Sequence, residues 1–158
     1  MSDTDVRKDM WKKMADSPFL MVGLTESGEH REPMTAQLDP DADGEFWFYT
    51  KTDNRIASGG PAMAQFVSKG HDLYACISGR LTKETDPAVI DRYWSKQVEA
   101  WFDGGRNDPK LLMLRFDLDD AEIWEADQSI TGKFKMLTGI RIKGDKAGEG
   151  GEHADVSL

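Results

Sequence analysis

The sequence predicts a mainly β protein, a small antiparallel barrel with flanking helices. Three observations carry that prediction. About six β-forming runs lie at short spacing, nearly all joined by turn chemistry that suits hairpins. Only one long stretch keeps a helical period, and it is inserted before the last pair of runs. The chain has 158 residues, 39% of them hydrophobic, which suits one compact core and leaves two domains unusually small. Antiparallel strands in this number close most readily into a barrel, because closure removes unpaired edges.

The elements follow in order. Val6, Met10 and Met14 recur at a spacing of four with Trp11 beside them, which predicts a short amphipathic helix over 5–15 capped by Asp3 or Thr4. Pro18 stops it. PFLMVGLT reads as a buried strand and ESGEHRE as a turn. Met34, Ala36 and Leu38 then alternate with Thr35 and Gln37 along a half-buried strand. After DPDADG, the aromatic run Glu45–Lys51 completes an expected three-stranded antiparallel meander over 18–51. Residues 53–60 suit one helical turn. AMAQFVS, the tight turn KGHD and LYACISGRLTKE form a hairpin.

Asp86 can cap the clearest helix, with Pro87 in its first turn. Ile90, Tyr93, Trp94, Val98, Trp101 and Phe102 keep the helical period until Gly104. LLMLRFDL and AEIWEAD predict a last hairpin around Asp119 and Asp120. Residues 131–142 fit helix or strand. From Gly144 the acidic tail has no core residues and is expected to be mobile, which divides the chain into a domain over 1–143 and a tail over 144–158.

Charge narrows the function. The net charge is −9 and the isoelectric point near 4.8, so a phosphate backbone is repelled and nucleic acid is not an expected partner. No apolar run approaches the roughly 20 residues that span a bilayer. MSDTDVRKDMWKKM lacks the apolar centre of a secretory signal. Cys76 is the single cysteine, which excludes an internal disulfide and any multi-cysteine zinc site. The expectation is a cytoplasmic domain with neither membrane nor nucleic-acid partner.

Sites of standard chemistry are sparse. His30, His71 and His153 fall in two turns and a tail, with no metal-ligand spacing, so no metal is expected. Cys76 sits in a strand, where packing explains it better than nucleophilic chemistry. GxSxG is absent, and SGGP and DGGR match no phosphate-cradling glycine motif. What remains is Pro33-Met34-Thr35-Ala36-Gln37, followed by Phe48-Tyr49-Thr50-Lys51 and Asp53-Asn54-Arg55. A strand exposing Thr35 and Gln37 offers donors to a flat heteroaromatic ring. Thr50, Lys51, Asn54 and Arg55 crowd hydroxyl, ammonium, amide and guanidinium donors into six residues, a set that suits a phosphate monoester. The plainer alternative is a strand end with solvated turn residues.

The blocks PMTAQ, FWFYTKTDNR, FVSKGHDLYACISGRL, DRYWSKQVEAWFDGGRNDPKLLMLRF and AEIW, in this order, resemble the general-stress-protein branch of the pyridoxamine 5′-phosphate oxidase-like family. The resemblance covers residues 5–140. It implies an antiparallel six-stranded FMN-binding split barrel that works as a homodimer with flavin sites between subunits. It sets the flavin ring against Met34, Thr35, Ala36 and Gln37, and the phosphate near Tyr49, Thr50, Asn54 and Arg55. Pro33-Met34 stands where the oxidases begin with Arg-Met. Asn54-Arg55-Ile56 stands for their Ser-Arg-Lys, which removes one cation, so either Lys51 compensates or phosphate affinity is lower. Ser68, Lys69 and His71 recur in this branch as either ligand-holding or turn residues. Trp94, Trp101 and Trp124 are either flavin-stacking or packing residues.

The function so implied is a flavin-binding protein of the general stress response, taking FMN or FAD, and a flavin-dependent oxidoreductase of unknown substrate. The alternative is a flavin-binding or redox-sensing module without turnover. No residue stands out as a general base, so the sequence does not decide between them. Pyridoxamine 5′-phosphate oxidation is the weakest alternative. The oxidases hold that substrate with an Arg and a Trp near their C-terminus, whereas GEHADVSL carries neither and Arg141 and Lys143 are the nearest cations. The FMN-loaded protein is expected not to oxidise this substrate. Formation of pyridoxal 5′-phosphate at about 1 s⁻¹ or faster would overturn that expectation.

Overall fold

The computed structural model describes residues 3–42, 44–127, 135–144 and 155–156. These residues form a mainly antiparallel β structure with eight strands among them, against the expected six. Helix α1 (Asp3–Asp16) buries Val6, Met10, Trp11 and Met14 along one stripe, as their spacing requires. Strands β1 (Phe19–Leu24), β2 (Glu32–Thr35), β3 (Glu45–Lys51), β4 (Gly60–Val67) and β5 (Leu73–Lys83) follow. Then come α2 (Pro87–Arg92), α3 (Lys96–Glu99), a 3₁₀ turn (Gly105–Asn107), β6 (Leu111–Asp127), β7 (Lys135–Lys143) and β8 (Asp155–Val156). No helix among the described residues is long and apolar enough to cross a membrane.

The core gathers on the concave side of the curled sheet. Phe46 is fully buried there, stacked on Phe116 at 4.7 Å and edge-on to Phe48 and Trp11 at 5.6 and 5.9 Å. β1 pairs with β2 and β4, and β4 with β5, all antiparallel. β3 does not continue the expected meander. It pairs with β6, and it meets the chain after β2 at a single bridge between Gln37 and Trp47. That bridge is the seam of the barrel, so the barrel is split along most of one side.

β6 also departs from expectation. No hairpin forms at Asp119 and Asp120; one strand runs through both. The irregularity is absorbed as a bulge, in which Ser78 pairs with Asp120 but Gly79 with Leu118, leaving Asp119 over. The Asp119 carbonyl accepts instead from Gly144 N at 2.6 Å. The bend lets one edge of β6 serve two partners, β3 along Leu111–Asp117 and β7 along Asp120–Asp127.

The helix expected over 86–103 is broken in two. Asp86 caps α2 as predicted, accepting from Ala88 N at 2.9 Å. At Ser95 the backbone turns extended and the hydroxyl accepts from Val98 N at 3.2 Å, which starts α3 afresh. Tyr93 and Trp94 are drawn onto Trp47 and Tyr49 instead of onto a helical stripe. The undecided segment 131–142 is β7 from Lys135 onward. In the tail, Gly144 is buried and Asp155–Val156 pair with Gly139–Ile140; the expected mobility concerns residues outside those described.

Turn chemistry accounts for the SKGHD segment. Ser68 is buried; its hydroxyl donates to Asp72 at 2.7 Å and accepts from the N–H groups of Asp72 and Leu73. His71 sits at φ 57°, in the left-handed region. Lys13 reaches from α1 to Asp72 at 2.9 Å. The Ser68 hydrogen bond first, then Lys13, holds the Asp72 carboxyl below its ordinary value of 3.8. A depressed carboxyl stabilises the fold above its unfolded pKa, and that stability is lost as the pH falls through the folded value. Asp72→Asn is therefore expected to be less stable than wild type at pH 7, with the gap narrowing below about pH 4. Urea unfolding at pH 7 and pH 3 checks this, and a gap that stays constant would contradict it.

Candidate functional site

A cavity of about 470 Å³ opens between β2, the end of β3 and the α3 segment. That volume lies within the range of small-molecule and cofactor sites. Met34, Thr35 and Gln37 form one wall, and Tyr49, Thr50, Lys51 and Asn54 a second. These are seven of the nine residues singled out in the sequence.

The two others lie beside it. Ala36 turns its side chain into the core at 3% exposure, and its N–H donates to Pro18 O at 2.7 Å. Arg55 does not line the cavity. Its guanidinium donates to the His30 carbonyl at 2.8 Å and lies 3.7 Å from a Glu32 oxygen. Alternation along the strand does not by itself exclude Ala36, since Met34 shares its face and still lines the cavity.

Each wall is held from behind. Gln37 is pinned by the seam bridge, donating to Trp47 O at 2.7 Å and accepting from Trp47 N at 2.9 Å. Trp47 is fixed in turn, because its indole N–H donates to buried Glu84 at 2.9 Å. A second Glu84 oxygen accepts from the N–H groups of Thr85 and Asp86. Tyr49 donates its hydroxyl to Ile90 O at 2.5 Å and so ties α2 to the barrel. Burial pushes its phenol up to about 12, which keeps it neutral and a donor at physiological pH. Asn54 spends its side-chain carbonyl on Ile56 N at 2.9 Å, an Asx turn whose remaining donor is the amide group.

Sequence reasoning missed the third wall, because it expected one uninterrupted helix there. Ser95, Gln97, Val98, Trp101 and Phe102 all line the cavity once the helix breaks. Of the three tryptophans considered, only Trp101 reaches it. Trp94 packs on Tyr49 and Phe102 and donates to Glu99 at 3.2 Å, while Trp124 lies opposite Gly139 in the sheet. Glu32 and Asp53 add two carboxylates to the lining, so Lys51 faces a mixed electrostatic field.

Other candidates recede. Among the described residues no cluster of His, Cys, Asp and Glu could hold a metal ion. Burial raises the Cys76 thiol, and its sulfur lies 3.1 Å from that of Met63, which supports the packing role. Arg141 pairs with Asp120 at 3.5 Å on the exposed side of β7.

Flat apolar side chains, hydroxyl and amide donors and one ammonium in a single cavity fit a planar cofactor with a phosphate arm. Comparison with known proteins agrees with that fit. Residues 5–147 match the family model described as pyridoxamine 5′-phosphate oxidase like. A general stress family protein from Xanthomonas campestris pv. campestris is 42% identical with a TM-score of 0.74, over 87% of this chain and 99% of that one. The general stress FMN/FAD binding protein of Xanthomonas citri is 40% identical with a TM-score of 0.75, over 85% of this chain and 98% of that one. General stress protein 26 of Bacillus subtilis (strain 168) is 30% identical over 57 residues, 36% of this chain; the match spans only 40% of that protein.

Proposed function

This chain belongs to the pyridoxamine 5′-phosphate oxidase-like family, and on that premise we propose that it is a flavin-binding protein of the general stress response, working as a flavin-dependent oxidoreductase. The observation that carries the proposal is the convergence of Met34, Thr35, Gln37, Tyr49, Thr50, Lys51 and Asn54 on one cavity. The 40% identity to a protein that binds FMN or FAD supports the choice of cofactor. A bound flavin supplies the electron chemistry, and the chain supplies position. Met34, Thr35 and Gln37 flank the ring, with Ala36 packed behind them in the core. Thr50, Lys51 and Asn54 take the phosphate, beside the neutral Tyr49 hydroxyl. Arg55 acts from behind, holding Glu32 and the His30 carbonyl at the edge of the cavity.

Lys51→Ala is expected to lower FMN affinity about tenfold while leaving riboflavin affinity nearly constant. A hydrogen bond to a charged group is worth about 1.5–3 kcal/mol, and exposure of the lysine argues for the lower end. Titration of both ligands by flavin fluorescence checks this. Equal loss for the two would remove the phosphate from that end of the cavity. A purified protein that is colourless and stays so after addition of flavin and gel filtration would sink the whole reading. Oxidation of NADH or NADPH by the loaded protein distinguishes an oxidoreductase from a binding module.

The proposed protein is also a homodimer and cytoplasmic. Phe19 and Met21 of β1 project outward beside Val67 of β4, all three exposed on one face of the sheet. Such a face is covered when a second copy packs on it. Light scattering is expected to give a mass near two chains, and Phe19→Asp to shift it toward one. The lone half-buried Cys76 suits a reducing compartment.

A further inference from the structure

We propose that Trp101 is a platform for a purine base, so that the cavity takes a flavin dinucleotide with its adenine stacked on the indole at the rim. The proposal rests on the flavin reading above and adds the class of nucleotide to it. Trp101 lines the cavity yet is 75% exposed, whereas its neighbours Val98 and Phe102 are buried. Among the described residues its ring has no aromatic partner and its indole N–H no acceptor. Trp94, seven residues earlier, has both. A large flat aromatic face left in water beside a cavity is suited to stacking, and every nucleobase presents a π-face to such a platform.

The position of Trp101 selects the base over the flavin ring. The chain after Trp101 runs through Gly104 to Asp108, whose carboxylate accepts from Gly104 N and Lys110 N at 2.9 Å each. Lys110 O accepts from Thr52 N at 2.9 Å, and Leu111 pairs with Lys51. The Asp108 carboxyl is held low by the Gly104 and Lys110 N–H groups first, and the charge of Lys51 adds to them. The Trp101 loop is thus fastened at the Lys51 end of the cavity, the end read above as the phosphate end. A mononucleotide flavin stops at its phosphate. A dinucleotide continues through a second phosphate and ribose to adenine, which reaches the rim where Trp101 stands.

The test is titration of the purified protein, Trp101→Ala and Trp101→Phe with FMN and FAD, followed by flavin fluorescence. The expected result is an FAD-to-FMN affinity ratio that falls about tenfold in Trp101→Ala and is largely kept in Trp101→Phe. Truncation of so exposed a side chain removes no core contact, and circular dichroism confirms the fold. A ratio unchanged in Trp101→Ala, or equal loss of both cofactors, overturns the proposal while the flavin reading stands. So does conversion of Trp101→Ala to a monomer, which would assign the indole to a second copy of the chain. A wild-type protein that binds neither flavin overturns the flavin reading, and this inference with it.

Discussion

Phe46→Ala is expected to destabilise the protein by about 3–5 kcal/mol. Phe46 is fully buried and touches rings from three elements: Trp11 of α1, Phe48 of β3 and Phe116 of β6. Truncation loses the transfer free energy of the ring and leaves a cavity that three rigid aromatic neighbours cannot collapse to fill. The melting temperature should drop by roughly 10 °C for a chain of this length. Calorimetry or urea unfolding measures it. A loss below about 1 kcal/mol would mean that the aromatic cluster is not the centre of the core.

The second large effect is expected at Gly79. A Cβ there would lie 2.3 Å from the Asp117 carbonyl oxygen and 2.4 Å from the Phe116 ring. Neither can move cheaply, because one is backbone in the bulged ladder and the other belongs to the central cluster. Gly79→Ala should cost about 3 kcal/mol through overpacking. Gly28→Ala is the control, because a Cβ there would meet nothing within 4 Å. Similar urea midpoints for the two variants would contradict the assignment of Gly79 to a close backbone approach.

Where local chemistry decided the outcome, the elements were legible from residues alone. The stripe Val6, Met10, Met14 gave α1, Asp86-Pro87 the start of α2, and SKGHD the β4–β5 turn. Where a partner distant in sequence decided, they were not. Asp119-Asp120 looks like a turn, and it becomes strand because β6 bulges at Asp119 while Ser78 and Gly79 of β5 keep pairing on either side of it. The aromatic run of β3 announces a buried strand but not that its partner is β6, sixty or more residues later. Tyr93 and Trp94 fit a helical period, yet the rings waiting on β3 compete for them. The site followed the same division. The two walls on β2 and β3 came from donor chemistry and the family resemblance; the α3 wall depended on a helix break that only Ser95 hinted at.

The seam between Gln37 and Trp47 determines where the native protein breathes. Only two backbone hydrogen bonds cross it, whereas β5 and β6 are paired along the whole of β5. Local openings of this kind need far less free energy than global unfolding, so deuterium should enter the amides of Gln37 and Trp47 well before those of the β5–β6 ladder. Gln37 also lines the cavity, so an occupant that rests against it must slow its exchange. Protection at these two amides therefore reports occupancy directly, and a screen of candidate cofactors by exchange can proceed before any substrate is known.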